Sequence, residues 1–275
     1  MNQPIFKDDL HPATDVGELP TTSVGQTPDP VEPDSATSLE ARGEDPVPLP
    51  GYLEEVYHWA YLSQAGRRVF DNAWVVNTIL WGNMGRLTQA VIEELSPDDR
   101  VLQPACVYGD FSVNLARHLR AGGELVVSDV AQVQVKDATR KLQAFDNASV
   151  ILADASRPRG GSYDKVVCFF LLHEVPQAYK RQIVDGLLRV LRNGGKLVFV
   201  DYHSPSAWHP LKPLMGLIFD RLEPFAKALW RQEISEFAST PQTYHWQKEV
   251  FFGGLYQKVV VQAATGAVGT PRLDF

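Results

Sequence analysis

The sequence predicts a doubly wound α/β domain built on a mostly parallel seven-stranded sheet that closes with an antiparallel hairpin. Three observations carry that expectation. Short apolar runs recur through the middle of the chain, at 100–103, 124–129, 149–153, 164–170 and 195–202. Amphipathic stretches of helical period lie between them, at 111–119, 132–145 and 177–191. Strands apolar on both faces with helices in between belong to parallel sheets covered on two sides. Near the end, two further runs, 244–252 and 255–262, are joined by Gly253-Gly254 in the manner of a hairpin.

Residues 1–50 are rich in Pro, Thr, Ser, Asp and Glu and poor in large apolar side chains, so they read as a disordered tail. The folded domain then covers 51–275: cap helices over 51–97, the core sheet over 98–207, lid helices over 208–240, and the closing hairpin and tail over 241–275. In the cap, 52–61 and 74–95 have helical periodicity, and Ser96-Pro97-Asp98-Asp99 ends it before the first strand. Asn193-Gly194-Gly195 has the composition of a C-cap for the helix 177–191. A long helical stretch is expected over 208–237, carrying Leu211, Leu214, Met215, Leu217, Ile218, Phe219, Leu222, Phe225, Leu229 and Trp230.

A formal net charge of −7 over 275 residues argues against broad, non-specific binding to nucleic acid or anionic lipid. Cys106 and Cys168 make neither a disulfide framework nor a zinc spacing, and fit a reducing compartment. No apolar run reaches the roughly 18–20 residues that span a bilayer, and the first residues lack the basic-then-apolar layout of a signal peptide. A cytoplasmic protein without an obligate protein partner is expected.

In such a sheet ligands bind beyond the carboxyl ends of the strands, where the strand order reverses. The first strand–loop–helix unit reads Val101-Leu-Gln-Pro-Ala-Cys-Val-Tyr-Gly-Asp-Phe-Ser112. A methyltransferase loop usually reads Asp-x-Gly-x-Gly-x-Gly here. Gln103 then stands for the acid, Ala105 and Val107 for two glycines and Gly109 for the third. Alone this is a weak motif, equally readable as an ordinary tight turn. Its context strengthens it. Asp129 ends the second strand 20 residues after Gly109, where an acid reaches ribose hydroxyls; a helix N-cap is its plainer alternative role, and the two can coexist. Asp154 ends the third strand, placed to accept from an adenine amino group. The candidate cofactor residues are Gln103, Ala105, Cys106, Tyr108, Gly109, Asp129, Val130, Asp154 and Ala155. Trp81 and Asn83 join them from the cap, where the aromatic stripe of Tyr57, Trp59 and Tyr61 reads better as core. S-adenosylmethionine is the cofactor expected. Bulky Val107 and Tyr108 disfavour a dinucleotide, whose pyrophosphate needs close approach to the loop.

The segment Phe169-Phe-Leu-Leu-His-Glu-Val-Pro176 resembles the corresponding stretch of ubiquinone and menaquinone methyltransferases, as does Leu191-Arg-Asn-Gly-Gly-Lys-Leu-Val-Phe-Val-Asp201. The fuller set is more specific: Val56-Tyr-x-Trp-Ala-Tyr, Ile79-Leu-Trp-Gly-Asn, the loop from Leu102, the string from Phe169, and Phe252-Gly-Gly-Leu-Tyr-Gln-Lys-Val-Val. Together these resemble the rhodoquinone-biosynthesis methyltransferase-like proteins, the RquA family, within the class I S-adenosylmethionine-dependent methyltransferase superfamily. The resemblance implies a Rossmann-like fold and conversion of ubiquinone to rhodoquinone, an amino group replacing a ring methoxy. It also implies S-adenosylmethionine as amino donor, assisted by a divalent metal, with manganese foremost. A conventional methyltransferase acting on a quinone or phenol, and a non-catalytic quinone- or nucleotide-binding protein, are the alternatives.

A hard cation would polarise a quinone carbonyl, and manganese suits mixed carboxylate and imidazole ligands. His173 and Glu174 after the fourth strand, with Asp201 and His203 after the fifth, are the expected metal ligands. His173, Glu174 and His203 are also the expected catalytic groups, one histidine being a candidate general base. A hydrogen-bonded loop histidine with capping carboxylates is the plainer alternative. His209 and His245 are secondary candidates. The cysteines are expected to be adjacent and to serve as buried packing. The 208–237 stretch, with Arg221, Lys227 and Arg231, is expected either to cap the sheet or to touch the cytoplasmic face of the inner membrane as a lipid-soluble quinone enters.

Overall fold

A computed structural model describes residues 77–263, apart from 79, 121 and 222. The expected disordered tail, the helix over 52–61 and the aromatic residues Tyr57, Trp59 and Tyr61 lie outside the described residues. Seven strands form one sheet: β1 (Arg100–Gln103), β2 (Glu124–Asp129), β3 (Ala148–Leu152), β4 (Tyr163–Phe169), β5 (Leu191–Tyr202), β6 (Tyr244–Phe251) and β7 (Tyr256–Ala263). Their spatial order is β3-β2-β1-β4-β5-β7-β6. β1 to β5 run parallel, β7 enters antiparallel to β5, and β6 pairs antiparallel with β7. This is the fold class the alternation predicts.

Both faces are covered because successive strand residues feed two different cores. Val101, Leu125, Val127, Val167, Phe169, Val198 and Val200 pack on one side, with Leu87 and Val91 of α1 (Met84–Ile92), Phe111 and Leu115 of α2 (Phe111–His118) and Leu142 of α3 (Gln132–Leu142). Their neighbours Leu102, Val126, Val166, Cys168, Leu197 and Phe199 face the other side, against Ile183, Val184 and Leu187 of α4 (Gln177–Arg189). The strand order reverses between β1 and β4, so the loops after these strands frame a crevice at the carboxyl edge. Cys106 packs against the first core and Cys168 within the second. The cysteines therefore belong to opposite faces, which corrects the expectation that they are adjacent.

Three local expectations are also corrected. The helix over 74–95 is interrupted: Trp81 (φ 52°) and Gly82 (φ 77°) turn the chain left-handed before α1 begins at Met84. The single helix over 208–237 is instead α5 (Lys212–Arg221) followed by 3₁₀ turns at Ala226–Trp230 and Ile234–Phe237. Pro224 cannot donate a backbone hydrogen bond, so α5 cannot continue through it. Asn193-Gly194-Gly195 lies inside the long strand β5, beside the register shift between Tyr163 and Lys165, and the cap of α4 is Val190.

Close packing of α4 on the loop after β3 depends on a glycine. A Cβ on Gly186 would stand 2.4 Å from the Ser156 carbonyl oxygen. Glycine to alanine in a helix interior ordinarily stabilises by about 1 kcal/mol. Here the collision with rigid backbone reverses the sign, and Gly186→Ala is expected to destabilise by about 1–3 kcal/mol in urea denaturation. A stabilised variant would show that the helix can retreat without loss.

Candidate functional site

The site grows from the ends of β1, β2, β4 and β5. Gln103 ends β1 wholly buried. Its amide donates to the Ala105 carbonyl at 2.7 Å and accepts from Ser112 Oγ at 2.9 Å. A neutral side chain thus ties the start of the loop to the start of α2, and both ends of the amide are used within that unit. Gly109 has φ 79°, a conformation that L side chains rarely hold, which explains why this one glycine persists. Its carbonyl accepts from Lys141 Nζ at 3.1 Å, while Tyr108 Oη accepts from Gln134 Nε2 at 2.8 Å. The substituted loop is therefore pinned to α3.

Asp129 joins the first two loops. One carboxylate oxygen accepts the Cys106 N–H at 2.9 Å and the other accepts the Ala131 N–H at 2.8 Å. Its alternative role as helix cap does not hold, because the N-cap position of α3 is Ala131 and lacks a side-chain cap bond. Burial raises the Asp129 pKa against those backbone donors. A carboxylate oxygen can accept more than one hydrogen bond, so capacity for ribose hydroxyls remains. The Cys106 thiol is pushed well up, first by burial and then by the Asp129 charge, which keeps it un-ionised. Asp154 accepts the Ser156 N–H at 2.8 Å beside buried Ala155. Val130 is half-buried after Asp129.

A cleft of about 190 Å³ separates α1 from this loop, lined by Asn77, Met84, Gly85, Thr88, Gly109, Asp110, Phe111 and Asn114. Trp81 and Asn83 are not among its lining residues. The Asn83 side chain instead donates to the carbonyls of Leu80 and Trp81, holding the left-handed turn, and Trp81 is 39% exposed.

Across the crevice, Asp201 is 1% exposed and its carboxylate is saturated. One oxygen accepts the N–H groups of Leu172 and His173 at 2.9 and 3.2 Å. The other accepts the Tyr202 N–H at 2.7 Å and pairs with His173 Nδ1 at 2.9 Å. Burial alone would lower the His173 pKa. The charge and hydrogen bond of Asp201, with Glu223 and Glu174 beyond, outweigh it and raise the pKa to about 9. The Asp201 carboxylate thus favours the protonated form of His173 at neutral pH, and Glu174 Oε1 lies 3.8 Å from Nε2. A protonated imidazole cannot serve as the general base.

The expected metal set is not assembled. Among the described residues no three His, Cys, Asp or Glu side chains stand together as a metal site. The physical reasons are local: Asp201 is filled by four partners, and His173 Nδ1 is taken up by Asp201 Oδ1 at 2.9 Å. His203 Nδ1 pairs with the Gly254 carbonyl at 2.9 Å, leaving Nε2 3.5 Å from the Lys248 ammonium, where a cation would be repelled. The side chains of His173, Glu174, Asp201 and His203 therefore do not fit a divalent metal in this arrangement. His209 is buried against Phe252 and accepts the Leu211 N–H, and His245 is exposed on β6. Neither reaches the His173 cluster through a contact. Sequence reasoning missed Tyr202, which packs on His173, and Tyr256, which packs on Tyr202. Their only signal was position, one residue past Asp201 and at its antiparallel partner strand.

A model of the methyltransferase domain matches residues 101–195. An uncharacterized methyltransferase of Synechocystis is 32% identical over 146 residues, 51% of this chain and 66% of that protein. A demethylmenaquinone methyltransferase of Beutenbergia cavernae is 30% identical over 181 residues, 64% of this chain and 68% of its own. A ubiquinone/menaquinone biosynthesis C-methyltransferase of Ectopseudomonas mendocina is 28% identical over 154 residues, covering 53% of this chain and 57% of that one. The chain thus spans little more than half to two thirds of the length of these relatives. Among solved structures, an O-methyltransferase family protein from Burkholderia thailandensis superposes with TM-score 0.56 at 15% identity, over 75% of this chain and 62% of that one. Human N-acetylserotonin methyltransferase, solved with S-adenosylmethionine, gives 0.54 at 14%, over 78% and 62%. These two likenesses speak for the fold. Taken with the sequence relatives and the crevice at the switch point, they place this chain in the class I S-adenosylmethionine-dependent methyltransferase family.

Proposed function

We propose that this protein transfers a group from S-adenosylmethionine to the ring of a lipid-soluble quinone, and that the group is an amino nitrogen replacing a methoxy, converting ubiquinone to rhodoquinone. The observation that carries the reading is the polarity of the crevice. An oriented acid, Asp129, stands at the β1–β2 side for a ribose diol, and a donor cation, His173, stands at the β4–β5 side for a ring carbonyl. Donation from His173 Nε2 would draw electron density from a quinone carbonyl and make the ring more electrophilic. The names of the quinone-related relatives support the substrate class. The loop supports amination: Ala105, Cys106, Val107 and Tyr108 fill space that glycines leave open, and Gln134 holds Tyr108 in place. That filling would reshape the amino-acid end of the cofactor pocket and turn the α-amino group toward the substrate.

Methyl transfer to a quinone or phenol is the second reading, favoured by the same relatives. Incubation with ubiquinone and S-adenosylmethionine carrying ¹⁵N at the amino group separates the two by mass spectrometry. A labelled aminoquinone is expected. A methylated or unlabelled product would replace amination with the second reading. No turnover with tight S-adenosylmethionine binding would favour a binding protein. Peripheral contact with the membrane belongs to the same proposal. Among the described residues no helix is long and apolar enough to cross a membrane, but Trp208 is 96% exposed, with Leu214 and Leu217 at 42% and 49% on α5.

A further inference from the structure

Beside His173 the side chains form an aromatic compartment centred on Tyr202. Its ring centroid lies 4.9 Å from His173, 5.3 Å from Phe170, 4.8 Å from Phe219 and 5.7 Å from Tyr256. Trp230 follows, 5.3 Å beyond Phe219. Four elements contribute: the end of β4, the end of β5, the start of β7, and α5 with the turn after it. Phe170 sits at φ 52°, an uncommon conformation for an aromatic residue, and that turn brings its ring toward both tyrosines.

Packing alone does not explain the polar atoms. Tyr256 is fully buried and its hydroxyl has no hydrogen-bond partner among the described residues. The Trp230 indole N–H is in the same position. A buried donor left unpaired costs about 1–3 kcal/mol, and phenylalanine would fill the place of Tyr256 without that penalty. The compartment offers aromatic faces, unpaired O–H and N–H donors and a nearby imidazolium. A quinone is the complement: a planar ring whose oxygens accept hydrogen bonds and donate none. An amine would meet the same donors and an adjacent cation, and is disfavoured.

We propose that this compartment receives the oxygen-bearing ring of the substrate quinone, and that the Tyr256 hydroxyl donates to a ring oxygen. The proposal rests on the ring-transfer reading above and locates its acceptor. Phe219 and Trp230 close the compartment from α5 and the turn after it, so admitting the ring requires one of them to move.

The test is Tyr256→Phe, with a short-tailed ubiquinone as probe and quenching of tryptophan emission as readout. The quinone Kd is expected to rise about tenfold, as for one lost buried hydrogen bond. S-adenosylmethionine affinity should stay the same, and the thermal midpoint should stay the same or rise because no intramolecular partner is lost. Trp230→Phe should remove most of the quenching. A lower midpoint in Tyr256→Phe would show that the hydroxyl is already paired and overturn the proposal, as would an unchanged quinone Kd. Normal quinone turnover with unchanged KM in Tyr256→Phe overturns the placement alone. A wild-type protein that binds S-adenosylmethionine but neither binds nor converts quinone overturns the substrate class along with it.

Discussion

Asp201→Ala is expected to destabilise the fold by about 3–5 kcal/mol and to abolish the elevated pKa of His173. The carboxylate is a hub: it accepts three backbone N–H groups and the imidazole, all in the interior. Alanine leaves four donors without an acceptor and the imidazolium without its counter-charge. Asp201→Asn keeps the shape, yet its amide nitrogen must face donors, so it recovers only part of the loss. The pH dependence gives an independent reading. The folded pKa of His173, about 9, lies above the unfolded reference of 6.5. The native state therefore holds a proton that the unfolded chain has released. The stabilisation is fully present below 6.5 and is lost as pH rises through about 9. Between these limits wild-type stability should fall by about 1.4 kcal/mol per pH unit from this group. Urea unfolding from pH 6 to 10 should show that decline in the wild type and not in Asp201→Ala. Turnover that depends on donation from His173 should fall over the same upper range. A flat stability profile in the wild type would mean that His173 is neutral in the folded protein.

This hub also shows how far a sequence can be read. Strand positions were legible because fully buried strands have one simple signature, an apolar run between turn residues; the predicted 124–129 is the observed β2. The place of Asp129 at the end of β2 was legible for a related reason, since the end of a strand at the switch point is defined by topology. The metal set was not legible, because the placement of His173, Asp201 and His203 at the ends of neighbouring strands says nothing of which lone pairs the backbone already occupies. Three of the four bonds to Asp201 come from main-chain N–H groups, and His203 is held by the Gly254 carbonyl from a hairpin 51 residues away. The 208–237 stretch misled in another way. Its leucines and aromatics recur at helical spacing, but they divide between the two cores, with Met215 and Phe219 in one and Leu229, Ile234 and Phe237 in the other. A single straight helix could not deliver both. Tyr256 had nothing but its place in the closing hairpin to mark it, because what distinguishes it is a missing partner.

Asp129→Ala is expected to weaken S-adenosylmethionine binding about 100-fold, measured by calorimetry. Two hydrogen bonds to a carboxylate, at about 1.5 kcal/mol each, the low end for a charged acceptor, are worth that much when the acceptor is removed, and the alanine also frees the Cys106 and Ala131 N–H groups that order the loop. Those roles separate with Asp129→Asn. Its side-chain oxygen still accepts one of the two backbone donors, so the loop should hold better while the diol loses its charged acceptor. The thiol of Cys106 reports on the same carboxylate without any ligand. Burial is the larger reason for its high pKa and the Asp129 charge the next, so neutralising the charge should move the thiolate transition downward while leaving it above an exposed cysteine. Alkylation rates against pH, read at Cys106 by peptide mass spectrometry, would show that shift. If Asp129→Asn leaves both the thiol titration and the cofactor affinity unchanged, Asp129 is not the residue that joins the rebuilt loop to the ribose.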